Sequence, residues 1–303
     1  MRACVIIFWL SLLAAVGAIE AAAQTPLTAK IGQHERKINL ARRQALYSQR
    51  LAKAACFAAR GINRGSHLAQ IRTLARLIDL TVGILVSGSK SLGIEPEQSF
   101  DVVLKLADVQ AVWDRTKTAV ETVLTTPEDD EIDRSALINI YADNVHLLHA
   151  MRTAFGTLEA KYTPSGQPPA LLSAIYVASR QRMLAQKMGK ELCLIADGFE
   201  PDRSRALLAG TIALFESAQA SLEQDLAELN MPELARSRIQ VQAQSVRKIW
   251  ISLKPAFALP EGTGIPTRPA LETVARENQK LLHQLNAALS LYESARRWPT
   301  TEQ

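Results

Sequence analysis

Three basic side chains recur at matching positions of two stretches that lie far apart in the chain. Arg43, Arg50 and Lys53 stand in INLARRQALYSQRLAKAACFAARG, residues 38–61; Arg180, Lys187 and Lys190 stand in IYVASRQRMLAQKMGKELCLIADG, residues 175–198. The second stretch adds Arg182 where the first has Ala45. A guanidinium is planar, permanently charged and able to donate two parallel hydrogen bonds, which suits a planar oxyanion. Charged residues on a helix also have a plainer use as a solvated face, and an arginine stem packs well on small neighbours. Both readings stand for the basic stripe and for Arg182. Other chemistry is thinly represented. No nucleophile lies beside a base, no Gly-rich loop suggests phosphate, and no E-x-x-H pair of the di-iron type occurs. His146 and His149 are one helical turn apart, a spacing that suits a metal. Their counterparts are Lys280 and His283, so a duplicated metal site is excluded and a packing or surface role is expected. The chain therefore reads as non-enzymatic, with no catalytic residue, metal or cofactor.

The elements that position these side chains come in two sets. A shift of 137 positions lays Ile38, Ala41, Arg43, Gln44, Gln49, Lys53, Cys56, Ala59 and Gly61 on identical residues, and places Trp113 on Trp250 and Lys117 on Lys254. Later, NVHLLH (Asn144 to His149) matches NQKLLH (Asn278 to His283) at an offset of 134. Three matches in one order mark a tandem duplication. Gly and Pro punctuate corresponding breaks, and the segments between carry apolar residues at three- and four-residue spacing, as at Leu74, Leu77, Ile78 and Ile84. The expected fold is all-α: two tandem antiparallel four-helix bundles, residues 24–161 and 170–303, joined by a Pro- and Gly-containing linker at 162–169. Such a linker joins like ends, so the bundles can stand side by side in parallel.

Composition agrees. Of 303 residues 48% are hydrophobic but only 5% aromatic, with Ala and Leu abundant, which favours helices. The net charge of +5 is spread along the chain without interleaved aromatics, so nucleic acid is not an expected partner. Arg2, the apolar run Cys4 to Ile19 and Ala21-Ala22-Ala23 before Gln24 read as a cleaved signal peptide, residues 1–23. No later segment reads as a membrane span, so the mature protein is expected to be exported and soluble, in the periplasm of a Gram-negative source. Cys56 and Cys193 are then the remaining thiols, in an oxidising compartment. No C-x-x-C-H motif for covalent haem is present.

On a helical wheel the repeated stretch has three faces. Leu40, Gln44, Tyr47, Leu51 and Ala58 point toward their own bundle. Ala41, Ala45, Ser48, Ala52, Cys56 and Ala59 form a small-residue seam that admits another helix. Arg43, Arg50 and Lys53 form the basic stripe. ASRQRMLAQKMGK (Ala178 to Lys190) resembles the opening helix of the PilJ/NarX-type N-terminal sensor domain, and INLARRQALYSQRLAK is a more degenerate version. The resemblance covers both copies and implies extracytoplasmic input modules of chemotaxis transducers and nitrate/nitrite-sensing kinases. In the nitrate-sensing relatives, first helices of two subunits pack together and an arginine from each holds the anion. That arginine falls on Arg182, with Ala45 in the other copy; Arg180 or Arg43 would have to complete the clamp. With no signalling domain, the chain implies an exported sensor-type ligand-binding protein for a small anion, feeding a membrane-bound transducer or sensor kinase. The alternative is a non-catalytic adaptor that binds another protein through its helical faces. Cys56 and Cys193 share one repeat position on the seam, so they form either a bridge between twin helices or two separately buried thiols.

Overall fold

A computed structural model describes residues 4–127, 130–163, 169–261 and 264–295. Eight long helices carry the fold: α1 Cys4–Ala59, α2 Arg64–Ser87, α3 Phe100–Thr125, α4 Arg134–Tyr162, α5 Pro169–Asp197, α6 Pro201–Gln224, α7 Glu233–Leu253 and α8 Arg268–Ala295. No β-strand occurs among the described residues. The backbone of α1 is helical through positions 4–23, which the sequence assigns to the signal peptide; residues 1–3 of that segment lie outside the described residues, as does most of the linker, 164–168. No helix is long and apolar enough to cross a membrane, among the described residues.

Local signals explain where the chain turns. α1 ends with Gly61 at φ 66°, where Ile62 N–H donates to Phe57 O and Gly61 N–H to Ala58 O, both at 3.0 Å. α5 ends alike: Gly198 is at φ 74°, Phe199 N–H donates to Leu194 O at 3.0 Å and Gly198 N–H to Ile195 O at 3.2 Å. This double bond satisfies carbonyls left open by the last helical turn, and glycine takes the left-handed conformation without a Cβ penalty. The Asp133 carboxylate caps α4 by accepting from Ala136 N–H at 2.7 Å, and Pro201 opens α6 where an amide hydrogen has no use.

In the first bundle α1 packs on α2 and α4, and α3 packs on α4; in the second α5 packs on α6 and α8, and α7 on α8. Helices α1 and α5 then pack on each other. One apolar core runs from Ile71, Trp113 and Leu147 through Ala52, Cys56, Ala185 and Cys193 into Phe215, Leu253 and Leu281. The bundles thus share an interior through the seam. The matched tryptophans have matched partners. Trp113 Nε1 donates to Asp79 at 2.7 Å and Trp250 Nε1 to Glu216 at 3.0 Å; Lys117 and Lys254 pair with the same two carboxylates at 2.9 and 2.6 Å.

Candidate functional site

The seam between α1 and α5 holds the residues with chemical potential. Ala52, Cys56, Ala185 and Cys193 have no exposure at all. With little side chain between them the backbones approach closely, and Cys56 and Cys193 are joined as a disulfide with Cα atoms 6.1 Å apart. Cys56 lies near Cys193 while Arg42 and Arg43 lie near Arg182, so the two helices run parallel.

Burial of the lysines departs from the sequence reading. Lys53 and Lys190 belong to the stripe expected to look outward or toward a ligand, yet they are 2% and 5% exposed. Each reaches across the seam into the other bundle. Lys53 Nζ donates to Gln186 Oε1 at 2.6 Å and Asn278 Oδ1 at 2.9 Å; Lys190 Nζ donates to Asn144 Oδ1 at 2.9 Å. The asparagines are held in turn by their own first helix: Asn144 Nδ2 donates to Ser48 O at 2.9 Å and Asn278 Nδ2 to Ala185 O at 2.8 Å. A Cβ at Gly189 would lie 3.0 Å from Lys53 Cδ, so the missing side chain makes room for the crossing lysine. Burial, reinforced by the nearby Arg50 charge, pushes the Lys53 ammonium down to about 7. Burial pushes Lys190 down to about 8, opposed by Glu191. His67, buried and stacked on Phe57, is pushed down to about 4 by burial and by Lys53.

Toward the N-terminal ends of the paired helices the seam opens on the α8 side. A cavity of about 360 Å³ is lined by Arg42, Arg43, Arg50, Arg182, Tyr47 and Asn286, among others. Arg182 is 6% exposed. Its Nε donates to Ser179 O at 3.5 Å, one terminal nitrogen to Asn286 Oδ1 at 3.2 Å and the other to Ser179 Oγ at 3.2 Å. None of these acceptors is charged. Burial, followed by the Arg43 charge, pushes Arg182 down to about 10 despite Glu293. Arg43 is exposed at the same cavity, and Arg50 Nε is buried there without a hydrogen-bond partner. Tyr47, which the helical wheel assigns to the face of its own bundle, lines this cavity as well as packing against the core.

Arg180 is not part of this constellation. It lines a different cavity, with Arg42, Ala45, Arg152, Phe155 and Tyr176, on the α4 side of the seam. Two helical positions separate side chains by roughly 200° around the axis, so Arg180 and Arg182 leave α5 in opposite directions. The structure thus brings Arg43 to Arg182 and takes Arg180 away. His146 and His149 are exposed on α4. The seam residues that sequence reasoning undervalued are Asn144, Asn278, Gln186 and Gly189. Asn144 and Asn278 were already visible as identical residues in the matched hexapeptides. Asp79 and Glu216 were also missed, although they too are acidic residues 137 positions apart.

Comparison with known proteins bears on the second bundle. Residues 173–288 match the PilJ family model, described as the type IV pili methyl-accepting chemotaxis transducer N-terminal domain. That span begins in α5 and ends in α8, so the similarity to the PilJ domain lies within the second bundle. The methyl-accepting chemotaxis protein McpN of Pseudomonas aeruginosa is 38% identical over 76 residues, which is 25% of this chain and 14% of that protein. No solved structure matches the chain.

Proposed function

We propose that the protein is an exported sensor module, built from two PilJ/NarX-like bundles, that binds a small planar oxyanion such as nitrate or nitrite in the cavity around Arg182. One observation carries the reading. A nearly buried guanidinium, bonded only to neutral oxygens, shares a cavity with Arg43, Arg42 and Arg50. Arg42 is neutralised by Glu159 and Glu293, each at 3.5 Å, but the cavity keeps a surplus of positive charge. An anion there gains charge-assisted hydrogen bonds and offsets the repulsion between Arg182 and Arg43. The PilJ match supports a signalling role, and the relative's name supports a chemotaxis-type membrane protein as recipient of the signal.

The test is thermal unfolding of the protein purified from the periplasm, with nitrate, nitrite and sulfate in separate titrations. At one hundred times its dissociation constant a ligand adds about 2.7 kcal/mol of stability. Arg182→Ala abolishes the response and stays folded without ligand; Arg182→Lys keeps the charge, loses the planar fork and recovers part of it. An equal response in wild type and Arg182→Ala removes this site from the function. If no anion stabilises the protein while a protein partner is captured tightly, the adaptor reading replaces it. Amino-terminal sequencing of the periplasmic protein tests export, with Gln24 expected first.

A further inference from the structure

The Arg182 cavity has a counterpart, and the correspondence between the copies relates the two position by position. Helix α5 matches α1 at an offset of 137, and α8 matches α4 at 134. On that basis the α4-side cavity, of about 480 Å³, is the mate of the α8-side one. Two lining residues are kept: Arg180 answers Arg43 and Glu159 answers Glu293. Others have diverged, and Arg152 stands where the mate has Asn286. Ala45 stands where the mate has Arg182, Tyr176 where it has Asn39, Phe155 where it has Leu289 and Met183 where it has Leu46. One guanidinium is lost at Ala45 and another gained at Arg152, and aromatic rings stand at positions 155 and 176, where the mate has Leu289 and Asn39.

The outcome is a cavity with an apolar side and a cationic side. Phe155 and Tyr176 stack with centroids 6.2 Å apart and planes 10° from parallel. Opposing charge comes from Arg152 and Arg180, for which no carboxylate partner occurs among the described residues. Arg180 Nε is buried without a hydrogen-bond acceptor, and a buried donor in that condition is costly until an acceptor arrives. Arg42 stands between the cavities, its two terminal nitrogens each 3.5 Å from one glutamate of each. Its charge is therefore already balanced, and the cations open to a ligand on this side are Arg152 and Arg180.

We infer that the α4-side cavity is a second ligand site, for an organic monocarboxylate with a compact aromatic or branched apolar body. The body lies against Phe155, Tyr176 and Met183 in the space that Ala45 leaves; the carboxylate meets Arg180 and Arg152. The volume is that of a small-molecule pocket, and the pairing of an apolar wall with few charged groups is how such pockets orient a ligand. An inorganic oxyanion satisfies the arginines but makes no contact with the apolar side, so charge alone leaves part of this cavity unfilled. The inference concerns a different cavity from the Arg182 site and stands without it.

Isothermal titration of the purified mature protein with sodium benzoate tests it, with acetate and benzyl alcohol as probes of the two halves of the ligand and nitrate titrated in parallel. Benzoate binds with one-to-one stoichiometry, and acetate and benzyl alcohol each bind roughly tenfold or more weakly. Arg180→Ala weakens benzoate roughly tenfold or more. Ala45→Arg, which gives this cavity the side chain its mate carries, abolishes benzoate binding, and Arg182→Ala leaves it unchanged. Should Ala45→Arg fail to fold, Arg152→Ala and Arg180→Ala carry the test. Absence of benzoate binding at millimolar concentration overturns the inference. So does binding that both arginine variants leave intact, or binding lost in Arg182→Ala. The nitrate titration reports separately on the other cavity, so either site can fail alone.

Discussion

Between α2 and α3, Trp113 donates to Asp79 while Lys117 pairs with the same carboxylate; between α6 and α7, Trp250, Glu216 and Lys254 repeat that arrangement. The turns after α1 and α5 likewise share left-handed glycines and the same pair of backbone bonds. At the seam the correspondence breaks: Arg182 answers Ala45, Gly189 answers Ala52, and the two flanking cavities differ in most of their lining. The contrast has a physical cause. Each bundle must close its own core, and its two copies have the same problem to solve. The seam is solved once for both. In a symmetric pair of identical subunits any substitution at the seam strikes both cavities together. In a tandem chain each cavity changes alone, and one molecule holds two unlike cavities.

The largest expected effect comes from cutting the seam while leaving both tryptophan clusters untouched. The Cys56–Cys193 bridge closes a loop of 137 residues, which in the chain-entropy model contributes on the order of 4 to 5 kcal/mol. The double variant Cys56→Ser, Cys193→Ser is expected to lower the urea midpoint accordingly, and reductant to do the same to wild type. Mass spectrometry after denaturation in an alkylating agent without reductant gives the direct answer. Neither Cys56 nor Cys193 is alkylated if the bridge forms; alkylation of both ends the idea.

The next perturbation addresses the part of the comparison where the bundles agree. Trp113→Phe and Trp250→Phe each remove one indole donor from a carboxylate that keeps its lysine. Each is expected to cost about 1 to 2 kcal/mol, from the lost bond and the smaller ring. The clusters are far apart in the fold, so the double variant should cost the sum. Denaturant titrations of the three variants measure this. A cost confined to one bundle means the copies do not share their stabilising contacts.

Much of this was legible before any coordinates. The internal match located α1 and α5, the punctuation by Gly and Pro located the turns, and the small-residue face located the seam. Helical periodicity and repetition are local properties, and they survive in a one-dimensional string. What the string hid was relational. Lys53 and Lys190 read as part of an exposed stripe because a wheel of one helix cannot show that the facing bundle offers Asn278, Gln186 and Asn144 as acceptors. Gly189 read as one more small residue, though its role depends on where the Lys53 stem passes. Arg180 read as able to complete a clamp with Arg182, and the turn of the helix sends the two to different cavities.

A further expected effect is a pH dependence that distinguishes the two crossing lysines. Burial holds Lys53 down to about 7 and Lys190 down to about 8, against 10.5 for a free lysine. Between the folded and the unfolded value the unfolded chain binds more protons than the native one, so stability rises with pH across that interval. For Lys53 the interval runs from about 7 to 10.5 and for Lys190 from about 8 to 10.5. Below the folded values both ammonium groups are charged in both states, and neither contributes a slope. Urea midpoints measured between neutral pH and mildly alkaline pH are therefore expected to climb. Lys53→Met keeps the length of the stem, removes the titrating group, abolishes the climb below about pH 8 and roughly halves it above; Lys190→Met leaves the climb below about pH 8 and roughly halves it above. Both variants also strand amide oxygens that the lysines satisfied, so their absolute stability falls, and the slope rather than the midpoint is the diagnostic. A wild-type profile that is flat over this range, or one whose slope survives undiminished in both variants, shows that the crossing lysines remain charged inside the seam.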